Sequence, residues 1–161
     1  MTTVEHYLTT NYRPDRDYVD GKLVGRNWGE LNHGLAQGGT AAWLTSRRQE
    51  WRIVTAISVR IKINERRYRV ADVVAISASA PNEEIIVTPP VLCVEVASRR
   101  DRFTEMWQRI HDYLAIGVPV CWIIDPEARR AWTVTPAGLV EAKDGILRAG
   151  EIEMPLAEVL D

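Results

Sequence analysis

The sequence predicts an α/β fold, a mixed β-sheet with α-helices packed against it. Three observations carry that prediction. Residues 52–63 alternate at the two-residue period of a strand, with Ile53, Ile57, Val59, Ile61 and Ile63 on one face and Ser58, Arg60 and Lys62 on the other. Residues 102–116 carry an apolar stripe at helical spacing, Phe103, Met106/Trp107, Ile110 and Tyr113/Leu114, and Gly117 stands where a helix would stop. The order of segments is helix, hairpin, helix, three strands, helix, then further strands, which suits helices laid on a sheet.

Taken in order, residues 4–12 have a short helical pattern that stops before Pro14. Residues 17–26 read as a hairpin with Asp20-Gly21 at its turn. Asn27-Trp28-Gly29-Glu30 resembles a capping box opening a helix to about Arg48, with Leu31, Leu35, Ala42 and Leu44 among its apolar positions. Within it, Gly38-Gly39 marks a weak point or a close approach. Asn64-Glu65 turns the strand at 52–63 into a second one at 67–77. A polar, proline-bearing loop at 80–90 leads to the apolar run 91–97, and 118–124 reads as another buried strand. Asp125-Pro126 starts a turn into a strand at 131–135, and a hairpin-like tail follows. No repeat or linker interrupts the pattern, so 1–161 is expected to be one domain.

Composition narrows the function. A hydrophobic fraction of 46% and a charged fraction of 26% belong to a soluble globular protein. No apolar run approaches the roughly 20 residues that span a bilayer. The opening Met1-Thr2-Thr3-Val4-Glu5 suggests a cytoplasmic protein. Cys93 and Cys121 each sit in an apolar run, as buried reduced thiols do. The net charge of −2 argues against a strongly basic nucleic-acid binder. Its positive residues are nearly all arginine, clustered at 47/48/52, 66/67/69 and 99/100/102, and arginine pairs bidentately with phosphate. Glycine-rich phosphate loops, nucleophile elbows, HExxH and dinucleotide fingerprints are all missing from the sequence, so no organic cofactor is expected.

Two acids interrupt apolar strands: Asp72 within 68–74 and Glu95 within 92–97. A carboxylate there is costly to bury unless it is paired or holds a cation. One such acid could be the partner of a neighbouring arginine or sit exposed at a strand end. Two on successive strands suggest a shared metal, and hard carboxylate oxygens suit magnesium or manganese.

At this point the chain resembles a known family. Tyr18-Val19-Asp20-Gly21-Lys22-Leu23-Val24, Gly29-Glu30 with His33, Arg69-Val70-Ala71-Asp72 and Val94-Glu95-Val96-Ala97-Ser98 fall in the order seen in the Uma2 family. So do Tyr113-Leu114-Ala115-Ile116-Gly117-Val118 and Trp122-Ile123-Ile124-Asp125-Pro126. That family comprises restriction-type endonucleases of the PD-(D/E)XK nuclease superfamily. The resemblance implies a restriction-endonuclease-like mixed sheet flanked by helices, and Mg2+- or Mn2+-dependent hydrolysis of DNA phosphodiesters. Asp72 and Glu95 would be metal ligands, with the Val96 backbone carbonyl as a third, and Asp17 an accessory acid. Arg69, Arg100, Arg102 and His33 would face DNA, and a homodimer is a further expected partner.

Two departures stand out. Ala71 replaces the family's usual proline, and Ala97 occupies the position of the superfamily lysine. The family often moves that lysine to the following helix, where this chain has Arg109. Arginine can offset charge on phosphate but cannot act as a base. Two other readings therefore stand beside the enzyme: a catalytically impaired nuclease-fold module that binds DNA or protein, and a structural homodimer whose acids pair with arginines.

Overall fold

The computed structural model describes residues 1–26 and 29–160. Asp20 and Gly21 both take positive φ, 49° and 86°, the backbone of a tight two-residue turn. They join β1 (Asp17–Val19) to β2 (Lys22–Val24), the hairpin expected from the sequence. Before it comes α1 (Val4–Thr9), whose Tyr7 packs with Tyr18 and Tyr68. Helix α2 (Leu31–Ser46) runs into a short α3 (Arg48–Trp51). The long β3 (Ile53–Asn64) and β4 (Arg67–Ser77) follow, then β5 (Leu92–Val96), α4 (Phe103–Ala115) and β6 (Cys121–Asp125). After them come β7 (Arg130–Thr135), β8 (Gly138–Glu141), β9 (Ile146–Ala149), β10 (Ile152–Pro155) and α5 (Ala157–Leu160).

Eight strands form one mixed sheet in the order β2-β1-β4-β5-β6-β7-β8, with β3 also paired to β4. Among the described strands only β5 and β6 pair in parallel, and α4 supplies the crossover that a parallel pair needs. On one face, Ala36 and Leu44 of α2 pack with Val73, Ala75, Val94 and Trp122. On the other, Met106, Ile110 and Tyr113 of α4 pack with Ala71, Val74, Cys93 and Cys121. Both acid-bearing strands, β4 and β5, therefore run between two helical layers, as predicted.

Four details differ from the sequence reading, each for a physical reason. In β3, Ile57 is exposed, while Ile53 joins the α2 cluster and Ile61 the α4 cluster. Ser58 has φ 51°, a left-handed residue within a strand, and it shifts the phase of the alternation there. In α2, Leu44 is buried as expected, but Leu31, Leu35 and Ala42 are exposed and His33, Ala36 and Thr40 are buried instead. Of these, His33 faces Asp72, while Ala36 and Leu44 pack in the core. Phe103 is exposed rather than part of the buried stripe of α4. Finally, β6 begins at Cys121, not at 118, consistent with Pro119 having no N–H to give a ladder.

The Asn27-Trp28 part of the expected capping box lies outside the described residues. Glu30 stands at the N-cap position of α2 without a side-chain cap bond. The close-approach reading holds at Gly39, where a Cβ would come within 3.0 Å of the Val159 carbonyl.

Candidate active site

Asp72 lies in mid-β4, at the point where the β3–β4 ladder steps from Ile57↔Val73 to Val59↔Ala71 across Ser58. Gln37 of α2 reaches into this break and donates to the Asp72 carbonyl at 2.9 Å and to Ser58 Oγ at 3.2 Å. Glu95 is on the neighbouring β5, where Val73 pairs with Val94. The two acids converge: Val96 N–H donates to Asp72 Oδ2 at 2.8 Å, tying the strands together beside Glu95. Asp72 is 2% exposed and Glu95 fully buried.

A residue the sequence reading did not single out completes the cluster. Arg26, two residues past β2, puts Nη2 2.6 Å from Glu95 Oε2 and 3.2 Å from Asp72 Oδ2. Its Nη1 donates to the Val70 carbonyl. Arg109 Nε donates to the same Glu95 Oε2 at 3.3 Å, and the Tyr113 hydroxyl donates to Oε1 at 2.7 Å. His33 Nε2 lies 3.5 Å from Asp72 Oδ1.

These partners set the protonation states. Burial works against the Asp72 charge, but Arg26 and then His33 outweigh it and hold its pKa below the ordinary value. For Glu95 burial wins: its pKa is raised, with Arg26 and Arg109 offsetting only part of the cost. Burial also opposes the His33 proton, yet the hydrogen bond and charge of Asp72 raise its pKa. Burial pushes both Cys93 and Cys121 far up, so neither thiol is a nucleophile at neutral pH.

Asp17 belongs to an adjoining network. Its Oδ1 accepts Val70 N–H at 2.8 Å and its Oδ2 accepts Arg69 Nη1 at 3.1 Å. Arg69 Nε in turn donates to Asp112 Oδ2 of α4 at 2.6 Å. Arg69 is thus buried and engaged on both sides, a tie between β1, β4 and α4 rather than a group free to meet phosphate. Asp112 and Gln37 were also missed. Asp112 had a signal, since it stands three residues after Arg109 on the same helical face.

Arg100 and Arg102 are exposed on the turn between β5 and α4. Glu30 crosses to that turn, accepting Arg99 N–H at 3.2 Å, while Arg99 pairs with Glu127 at 2.9 Å. Beyond the turn, a cavity of about 310 Å3 is lined by Ser98, Phe103, Met106, Trp132 and Leu139 among others, not by the acid pair.

The donor set tests the expected metal. Asp72 and Glu95 supply hard oxygens of the right type. Among the described residues, however, no group of three or more His, Cys, Asp or Glu is arranged to hold a metal ion. Arg26 and Arg109 already offset both carboxylates, and a nitrogen of Arg26 lies between them. As arranged, the pair fits a guanidinium and not a divalent ion.

The sequence profile of the Uma2 family, described as "Putative restriction endonuclease", matches residues 4–154. The chain belongs to the Uma2 family. A crystal structure described as "a putative nuclease belonging to DUF820" from Anabaena variabilis ATCC 29413 superimposes with a TM-score of 0.85. The match covers 99% of this chain and 98% of that one at 18% sequence identity, a likeness of fold. No curated protein matches the chain. Among the described residues of this Uma2 member, no helix is long and apolar enough to cross a membrane.

Proposed function

We propose that this Uma2 protein is an endonuclease that hydrolyses DNA phosphodiester bonds from the Asp72–Glu95 centre. The observation that carries the reading is the convergence of two buried acids from adjacent strands on one guanidinium, in a member of this family. Magnesium or manganese would be its cofactor once Arg26 has left the pair, held by Asp72, Glu95 and the Val96 carbonyl. Such an ion supplies charge neutralisation on phosphate. Asp17 supports the centre from outside, by fixing Val70 and Arg69. Arg109, held against Glu95, would offset charge on the phosphate without accepting a proton. Arg100 and Arg102 would bind the DNA backbone, with His33 at the Asp72 end of the site. The protein is read as a cytoplasmic single domain acting as a homodimer.

The test is nicking of supercoiled plasmid over hours, in magnesium and in manganese, with chelator controls. Cleavage should be slow, faster in manganese, and absent in Asp72→Ala and Glu95→Ala. Cutting that survives both substitutions would remove the site.

A second reading has its own observation. With Arg26 and Arg109 offsetting the acids and Ala97 in place of the superfamily lysine, the chain could be a nuclease-fold module that binds DNA without cutting it. Salt-dependent DNA binding with no cleavage under any metal would favour it.

A further inference from the structure

We propose that Arg26 is a resident cation, which competes with a divalent metal ion for the Asp72–Glu95 pair. The argument starts from position. One nitrogen, Nη2, faces an oxygen of each acid, at 3.2 and 2.6 Å. A metal shared by those two oxygens would sit within about 2.0–2.6 Å of each. The nitrogen and the ion would then overlap, so only one can be present.

Charge gives the same answer. Asp72 and Glu95 face Arg26 and Arg109, so the cluster has no surplus negative charge to draw in a dication. Removing Arg26 leaves two buried carboxylates with Arg109 and the Tyr113 hydroxyl on Glu95 and His33 at 3.5 Å from Asp72, which is costly unless another cation arrives. Exchange, rather than addition, is therefore the favoured route for metal.

Arg26 is placed so that exchange is mechanically easy. It lies beyond the end of β2 at Val24 and outside the sheet ladder, so its withdrawal breaks no strand pairing. Among the described residues its holding contacts are the two acids and the Val70 carbonyl, and its side chain is only 5% exposed. In the described arrangement the acid pair is closed.

This inference deepens the nuclease reading by naming what controls the acid pair, yet its test does not need cleavage. Free Mn2+ would be followed by its paramagnetic resonance signal, together with melting temperature, on the full chain. Arg26→Gln should bind Mn2+ at least about tenfold more tightly than wild type, and Mn2+ should raise its melting temperature more. Adding Asp72→Asn to Arg26→Gln should abolish that gain. Guanidinium at roughly 10 mM, far below unfolding concentrations, should compete with Mn2+ in Arg26→Gln and leave the double variant unchanged.

If Arg26→Gln does not fold, Arg26→Lys keeps the charge but lacks the fork that spans both acids and Val70. Its Mn2+ affinity should then exceed that of wild type. Equal Mn2+ affinity in wild type and the variant that folds, or no competition by guanidinium, overturns the proposal. Cleavage separates the two ideas. A chain that never cuts DNA but shows the exchange loses only the nuclease reading. A wild type that cuts and binds Mn2+ as tightly as its Arg26 variants loses only the resident cation.

Discussion

Two buried acid–arginine networks lie three residues apart along β4, and they are finished to different degrees. In the first, Arg69 bridges Asp17 and Asp112, and every carboxylate oxygen has a close donor. Asp17 takes Val70 N–H at 2.8 Å and Arg69 at 3.1 Å, and Asp112 takes Arg67 at 3.0 Å and Arg69 at 2.6 Å. In the second, Arg26 bridges Asp72 and Glu95, but among the described residues Asp72 Oδ1 meets only His33, at 3.5 Å. A saturated network has nothing left to give a ligand. An under-satisfied carboxylate keeps capacity for one. The contrast separates a structural tie from a site, although both are arginines between two acids.

Breaking the tie should produce the largest effect on the fold. Arg69→Met leaves two buried carboxylates without their shared partner, a loss of about 3–5 kcal/mol. For a domain of this size that is roughly 6–20 °C in melting temperature. Adding Asp17→Asn and Asp112→Asn should recover much of it, because neutral amides need no counter-charge. Asp72→Asn should cost less than Arg69→Met, since Arg26 keeps Glu95. Thermal melts of these four proteins decide the matter. If Asp72→Asn is the more damaging change, the second network is the structural one and the contrast is misassigned.

Next in size is Arg109. It shares Glu95 Oε2 with Arg26, so two guanidinia crowd one oxygen there, whereas in the tie Arg67 and Arg69 take separate oxygens of Asp112. If the second is there for phosphate, Arg109→Ala should lower cleavage by about 10²-fold or more, while Arg109→Lys retains it. Plasmid nicking by the two variants checks this. Undiminished cutting by Arg109→Ala would make Arg109 a packing residue whose only role is to settle Glu95.

The unequal legibility of the two networks has physical causes. Asp72 and Glu95 were visible because charge stands out in an apolar strand, and the two-layer burial of β4 and β5 follows from the same runs. The hairpin turn, the β3–β4 pair and the α4 crossover were equally plain from local pattern. Arg26 was not, because a residue in a connecting segment has no periodicity to violate, and arginine's length separates its charge from its backbone position. Ser58 hid for a related reason: its left-handed backbone leaves no mark in the composition of β3, yet it shifts which residues face α4. Likewise α2 showed little amphipathic signal because its buried face mixes His33, which faces Asp72, and Thr40 with the core residues Ala36 and Leu44.

His33 gives a smaller effect, read through pH. Its folded pKa is raised, so the stability it contributes is complete below its unfolded value of about 6.5 and is lost as pH rises through the folded value. The lowered pKa of Asp72 acts in the opposite sense, present above its unfolded value of about 3.9 and lost as pH falls through the folded one. Between neutral and mildly alkaline pH, Glu95, whose pKa is also raised, acts in the same sense as His33, so comparison with His33→Gln isolates the share that belongs to the imidazole. Wild type should therefore lose melting temperature on that interval more steeply than His33→Gln. Parallel curves would mean that the 3.5 Å approach to Asp72 carries no charge.

The smallest effect tests the contrast from outside. Arg26, Arg69 and Arg109 are buried and matched to acids, so they add nothing to the field that DNA meets at a distance. Arg100 and Arg102 are exposed on the turn that follows the Glu95 strand, so the counterion release on binding should fall to them. Since the net charge is −2, long-range steering is weak and binding should be modest. Replacing both with alanine should reduce the slope of log affinity against log salt by about one to two units, and should do so alike for unrelated DNA sequences. Arg69→Met, by contrast, should leave the slope unchanged at any temperature where the variant stays folded. Fluorescence anisotropy at several salt concentrations measures both. A slope that responds to Arg69 but not to Arg100 and Arg102 would place the DNA toward the β1–β2 end of the sheet and move the interface away from the acid pair.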